Sequence, residues 1–134
     1  MTIRVFIADD QALIRTGLRG IVETAADLAV VGEAATGLRA VEEVLRLEPD
    51  VALMDIRMPE LDGIAATERL TRAGCATRVL VLTTFDLDDI VYDALRAGAS
   101  GFLLKDAPEE RLLTAIHVVA EGGSLFAPSP SLVA

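Results

Sequence analysis

The chain has 134 residues, 52% of them hydrophobic, a formal net charge of −9 and a single cysteine. That suits one globular domain burying roughly two thirds of its unfolded surface; no apolar run reaches the ~18 residues of a membrane span, and the acidic pair in MTIRVFIADD interrupts what a signal peptide would continue. The acidic balance opposes binding of phosphate backbones or anionic membranes by this chain alone, and Cys75 by itself excludes an intrachain disulfide, so a cytoplasmic protein with no membrane partner is expected.

Ile3 to Ala8 is an apolar strand run, followed over residues 11 to 25 by Ile14, Leu18, Ile21 and Val22 at helical spacing. Leu28 to Ala34 is a second strand, poorer in apolar bulk and so placed near an edge. Residues 38 to 47 form a helix with Val41, Val44 and Leu45 on its apolar side. Val51 to Asp55 reads as a strand buried on both faces that ends in an acid. Pro59, Asp62 and Gly63 mark a loop, and Gly63 to Ala73 a third helix. Arg78 to Thr83 is the fourth strand. Asp86 can cap a fourth helix, with Asp88 and Asp89 in its first turn, Ile90, Val91, Ala94 and Leu95 on its apolar side and Gly98 at its stop. Gly101 to Leu104 is the fifth strand. Pro108 opens a fifth helix with Leu112, Ile116 and Val119 facing the core.

Strand and helix thus alternate through five units joined by short loops. That pattern predicts an α/β fold: a doubly wound, five-stranded parallel sheet covered by helices on both faces, in the order 2-1-3-4-5.

Ligands in such sheets sit at the carboxyl ends of the strands. Strand 1 closes with Asp9 and Asp10, strand 3 with Asp55, strand 4 with Thr83 and strand 5 with Lys105, so four segments converge on one edge. Of 12 basic residues, 11 are arginine and Lys105 is the one lysine. Two carboxylates at 4 Å repel by roughly 4 kcal/mol at an effective dielectric of 20. Oxygen donors without His or Cys favour Mg²⁺ as the cation that relieves them. Capping of helix 1 by Asp9 or Asp10 is the plainer account, but it needs one acid and leaves Asp55 unexplained. With the charge screened, Asp55 can attack a phosphoryl group, and Thr83 and Lys105 can hold its oxygens. No Gly-rich phosphate loop follows strand 1. His117, the single histidine, lies in helix 5 away from this edge and reads as a surface or partly buried residue.

Asp9-Asp10, Asp55 followed by MPELDG, Thr83, and GASGFLLK ending in Lys105 resemble the receiver domain of two-component response regulators, from about Ile3 to Gly123. LTTFDLDDIVYDALRAGASGFLLKDAPEE is similar to the NarL/FixJ subfamily, whose members usually carry a C-terminal LuxR-type helix-turn-helix domain. The resemblance implies a flavodoxin-like receiver at residues 1–123 and, at 124–134, the start of a linker to a DNA-binding domain that the chain lacks. It implies Asp55 as the acceptor of phosphate from a sensor histidine kinase. Mg²⁺ would be held by Asp10, Asp55 and the Arg57 backbone carbonyl, with Asp9 acting partly through water. Thr83 and Lys105 would bind the phosphoryl group, and Thr83 and Phe102 would form a switch pair, the hydroxyl moving toward the phosphate and the ring turning inward. The switch repacks a surface of helix 4, strand 5 and helix 5 on which a second receiver can dock as a homodimer. Such a domain is not an enzyme in the ordinary sense: it accepts phosphate and slowly loses it. Arg57 and Phe85, two residues beyond Asp55 and Thr83, flank the route of attacking water and should tune that loss.

Asp106 stands where many receivers carry proline, and a cis bond before a non-proline residue costs about 2.5–4 kcal/mol. Phe102 replaces the common tyrosine, so a signal through it travels by packing alone. Two other functions fit less well. An aspartyl-phosphate phosphatase would want a second acid two residues past Asp55, where Arg57 stands. A phosphorylation-independent interaction module would not need every phosphorylation residue present here.

Overall fold

The computed structural model describes residues 1–84 and 88–124. Five strands, β1 (Ile3–Ala8), β2 (Leu28–Ala34), β3 (Val51–Asp55), β4 (Arg78–Thr83) and β5 (Gly101–Leu104), pair in parallel in the order β2-β1-β3-β4-β5. This is the predicted order, and it puts the apolar-poor β2 at an edge. Every residue of the central β3 is buried. A parallel strand with helices on both sides has no solvent face, so its sequence reads as a continuous apolar run.

Five helices cover the sheet: α1 (Ala12–Glu23), α2 (Gly37–Leu47), α3 (Gly63–Arg72), α4 (Asp88–Ala97) and α5 (Glu109–Ala120). Alternate strand residues feed two cores. On one face Phe6, Ala52, Met54, Val81 and Phe102 pack with Val44, Ala66, Leu70 and Ala94 of α2, α3 and α4. On the other, Val5, Ile7, Leu53, Leu80 and Leu103 pack with Val22 of α1 and Leu112, Ile116 and Val119 of α5. Each large aliphatic buried this way contributes roughly 1.5–3 kcal/mol, and together they fix which strand ends meet.

Local chemistry agrees with the boundaries. Thr36 caps α2 by accepting the Arg39 N–H at 3.1 Å, and Asp62 caps α3 by accepting that of Ala65 at 2.8 Å. Gly98 stops α4 at φ 101°, with its own N–H on the Leu95 carbonyl and the Ala99 N–H on that of Ala94, a left-handed terminus glycine adopts without strain. The predicted cap Asp86 lies outside the described residues. Two apolar assignments change: Leu45 is 44% exposed and Leu95 52% exposed, because each sits just off the inward stripe of its helix. Among the described residues no peptide bond is cis, so the Lys105–Asp106 bond is trans.

His117 ties α5 to the α1–β2 turn. Its Nε2 lies 2.8 Å from Asp27 Oδ2 and its Nδ1 2.7 Å from the Leu113 carbonyl. Both partners only accept hydrogen bonds, so the two contacts are both hydrogen bonds when the ring is protonated. Its pKa is raised, first by the Asp27 hydrogen bond and then by the Leu113 carbonyl, against a smaller opposing effect of burial; Asp27 is correspondingly lowered, chiefly by the bond to His117. A raised histidine pKa stabilises the fold fully below the unfolded value of about 6.5, and that contribution is lost as pH rises through the folded value. The Asp27 contribution is present above its unfolded value and lost as pH falls through its lowered one. His117→Gln should therefore melt below wild type in mildly acidic buffer, with the gap closing as the pH becomes alkaline. A gap independent of pH across that range would refute the charged pair.

Candidate functional site

The site is built where β1, β3 and β5 end. Asp9 follows β1 and is fully buried; Asp10 is exposed; Asp55 is the last residue of β3 and 5% exposed. One carboxylate oxygen from each lies within 4.8 Å of the others. Lys105 follows β5, and its Nζ stands 2.8 Å from Asp9 Oδ2 and 3.1 Å from Asp55 Oδ1. Thr83, the buried last residue of β4, accepts the Lys105 N–H on its main-chain carbonyl at 2.7 Å, which anchors the lysine's backbone beside the sheet edge. Adjacency follows from register: β1 pairs with β3, β3 with β4 and β4 with β5, so residues at or one position past the end of each strand share an edge.

Neither acid after β1 caps α1. The residue before that helix is Gln11, with no side-chain cap, and Asp9 Oδ1 instead accepts the Gln11 N–H at 2.9 Å. Asp9 Oδ2 is buried and pairs with the Lys105 ammonium. Three carboxylates face one ammonium, so negative charge prevails when all are ionised. The Asp55 pKa is raised: burial is the main cause, the Lys105 hydrogen bond opposes it, and the charges of Asp9 and Asp10 add to it. The Lys105 pKa is also raised. Burial works against its charge, but the hydrogen bonds and charges of Asp9 and Asp55 outweigh it.

Beside the acids runs an open groove of 750 Å³ lined by Asp10, Arg57, Met58, Pro59 and Asp62, with Asp93 of α4 opposite. Exposed Arg57 belongs to this rim. Phe102 is 3% exposed, its ring already within the core that α4 covers. Phe85 lies outside the described residues. Two contributors were not anticipated as parts of the site. Gly63 packs against the Asp55 carbonyl so closely that a β-carbon would overlap it. Arg15 donates from Nη1 to the Asp9 carbonyl at 2.7 Å. Gly63 was legible only as a turn residue, and Arg15 only as a polar position on an amphipathic helix.

Fold and edge together define a flavodoxin-like α/β domain whose chemistry is an acid cluster faced by a lysine. The chain belongs to the response regulator receiver domain family, whose profile matches residues 5–117. It is 42% identical over 124 residues to the uncharacterized transcriptional regulatory protein YxjL of Bacillus subtilis, covering 92% of this chain and 57% of that one. It is 42% identical over 120 residues to the oxygen regulatory protein NreC of Staphylococcus aureus, covering 89% and 55%. Among solved structures it is similar to the signal receiver domain of a Mycobacterium tuberculosis protein assigned as the response regulator NarL, with a TM-score of 0.88 and 39% identity over 90% of this chain and 98% of that one. The chain is thus a receiver domain of the NarL type, spanning a little over half the length of these curated relatives. Proteins of this family are signalling proteins rather than classical enzymes. Among the described residues no helix is long and apolar enough to cross a membrane.

Proposed function

We propose that this domain is a phosphorylation switch in which Asp55 takes a phosphoryl group from the phosphohistidine of a sensor kinase. A carboxylate oxygen of Asp55 attacks phosphorus, the phosphorus–nitrogen bond breaks, and the imidazole leaves with the bonding pair. The observation that carries this reading is the buried Asp55 carboxylate, 3.1 Å from the Lys105 ammonium and clustered with two further acids. Lys105 and Thr83 are assigned to the phosphoryl oxygens, the ammonium as a point charge and the hydroxyl as a donor. The all-oxygen donor set, with three carboxylates to one ammonium, fits Mg²⁺. Asp10, Asp55 and the Arg57 backbone carbonyl are assigned as the residues that would hold it, with Asp9 acting partly through water. When bound, the cation offsets negative charge on the transferring group.

Output is assigned to Thr83 and Phe102. Movement of the hydroxyl toward phosphate, with the Phe102 ring held in the core, alters the packing of α4, β5 and α5, where a second receiver docks. By likeness to relatives called transcriptional regulatory proteins, the signal then passes through a linker beginning near residue 124 to a C-terminal DNA-binding domain, in the cytoplasm. Arg57 and Phe85 are assigned to limiting slow hydrolysis of the acyl phosphate. Acetyl phosphate with Mg²⁺ should add one phosphoryl group, mapped to Asp55 by mass spectrometry, and the accompanying amide shifts should concentrate on α4, β5 and α5. Folded protein of unchanged mass would sink the reading.

A further inference from the structure

We propose that Arg15, braced by Glu33, is a positioning residue that aims the acidic turn between β1 and α1. The proposal rests on the cation reading of Asp9, Asp10 and Asp55. Arg15 stands in the first turns of α1, with 20% of its side chain exposed. One arm of its guanidinium, Nη1, donates to the Asp9 carbonyl at 2.7 Å; Nε donates to Glu33 Oε1 at 3.3 Å. The second oxygen of Glu33 accepts from Arg19 Nε at 2.6 Å, so that carboxylate is clamped from both sides. Glu33 lies on β2, whose next residue, Ala34, accepts the Asp9 N–H at 3.0 Å. The backbone of Asp9 is thereby held on both sides of its Cα: its N–H by the β2 backbone and its carbonyl by Arg15.

The orientation of that carbonyl sets where the chain goes next. Asp10 is exposed, so its carboxylate is aimed by its backbone rather than by surrounding packing. Within the turn Asp9 Oδ1 accepts the Gln11 N–H at 2.9 Å, but Gln11 adds no side-chain cap of its own. A planar guanidinium with two separated donors can brace two acceptors at once, as a lysine cannot. Glu33 also neutralises the charge that would otherwise face the cation site.

A sign distinguishes positioning from simple charge. If Arg15 acts only as a nearby positive charge, Arg15→Ala should tighten cation binding. If it aims the turn, Arg15→Ala should weaken binding by about tenfold, the lower range for loss of a group that orients metal ligands. The full chain is titrated with Mg²⁺ by calorimetry, and the Asp10 and Gln11 amide resonances are followed. Weaker binding with displaced amides, at a thermal midpoint that shows a folded variant, is the expected result. Equal or tighter binding by folded Arg15→Ala overturns the proposal while leaving the cation reading intact. Should Arg15→Ala not fold, Arg15→Lys keeps the charge and loses the two-armed grip; it should also bind more weakly, and wild-type affinity there overturns the proposal. Absence of Mg²⁺ binding by wild type overturns the cation reading and this proposal with it.

Discussion

Asp55→Asn should abolish phosphorylation and, without Mg²⁺, raise the thermal midpoint. The first effect is the loss of the nucleophile: an amide oxygen is a poor attacking group, and removing such a residue costs on the order of 10³-fold or more in rate. The second comes from what the native site asks of a carboxylate. Asp55 is buried at the end of a strand beside two other acids, and burial, more than those charges, raises its pKa despite the Lys105 hydrogen bond. A carboxyl group whose folded pKa lies above its unfolded one binds its proton more tightly in the native state. Stability is then greatest at low pH and falls as pH rises through the folded value, so at neutral pH the ionised group is a burden. Asparagine keeps the shape and an acceptor for Lys105 but removes the charge.

The two effects also separate under Mg²⁺. A ligand that binds only the native state stabilises it in proportion to RT ln(1 + [L]/Kd), so added Mg²⁺ should raise the wild-type midpoint more than that of the variant and narrow the gap. Thermal melts with and without Mg²⁺, beside intact-mass measurement after acetyl phosphate, test both halves. A variant that melts below wild type without Mg²⁺ refutes the stability argument; a phosphorylated variant refutes the assignment of Asp55. This is the usual conflict between stability and a functional site, here placed on one carboxylate.

Much of this was legible before any coordinates, for a topological reason. In a parallel sheet all carboxyl ends share one edge, so residues closing four apolar runs must meet there once the strand order is known. Asp9, Asp55 and Lys105 were found that way, and Thr83 as the end of β4. What escaped was whatever depends on a second direction. Leu45 and Leu95 look like core residues by composition, but a rotation of a few tens of degrees about the helix axis turns each outward. Arg15 reaches back over one helical turn to a backbone carbonyl, and no side-chain pattern encodes such a contact. The same holds for the difference between Asp9, wholly buried, and its neighbour Asp10, exposed. Adjacent acids read alike in sequence and are separated only by the turn that carries them.

Gly63→Ala should be among the most destructive single-methyl changes at the described residues. Gly63 opens α3, and its N–H donates to the Ile56 carbonyl at 2.7 Å, closing the loop that follows Asp55. Its φ is not in the left-handed region, so its freedom to turn is not what matters. A β-carbon would overlap the carbonyl of Asp55 itself, with Ile56 Cα close behind. Backbone on a central buried strand has nowhere to yield, unlike the tip of a flexible side chain. The clash should cost about 3 kcal/mol or more, at or above the usual range for overpacking, and lower the thermal midpoint by on the order of 10 °C. Whatever relief the chain finds must move Asp55 relative to Asp9 and Lys105, so phosphorylation should fall in the fraction that stays folded. Gly17→Ala and Gly20→Ala make the contrast. Both lie in α1 with no atom within 4 Å of an added β-carbon. There the same methyl replaces the flexible residue with the best helix former and should stabilise by roughly 0.5–1 kcal/mol. Melting curves of the three variants decide the matter: a Gly63→Ala protein that melts with wild type and still accepts phosphate would show that the loop does not hold the acceptor strand in place.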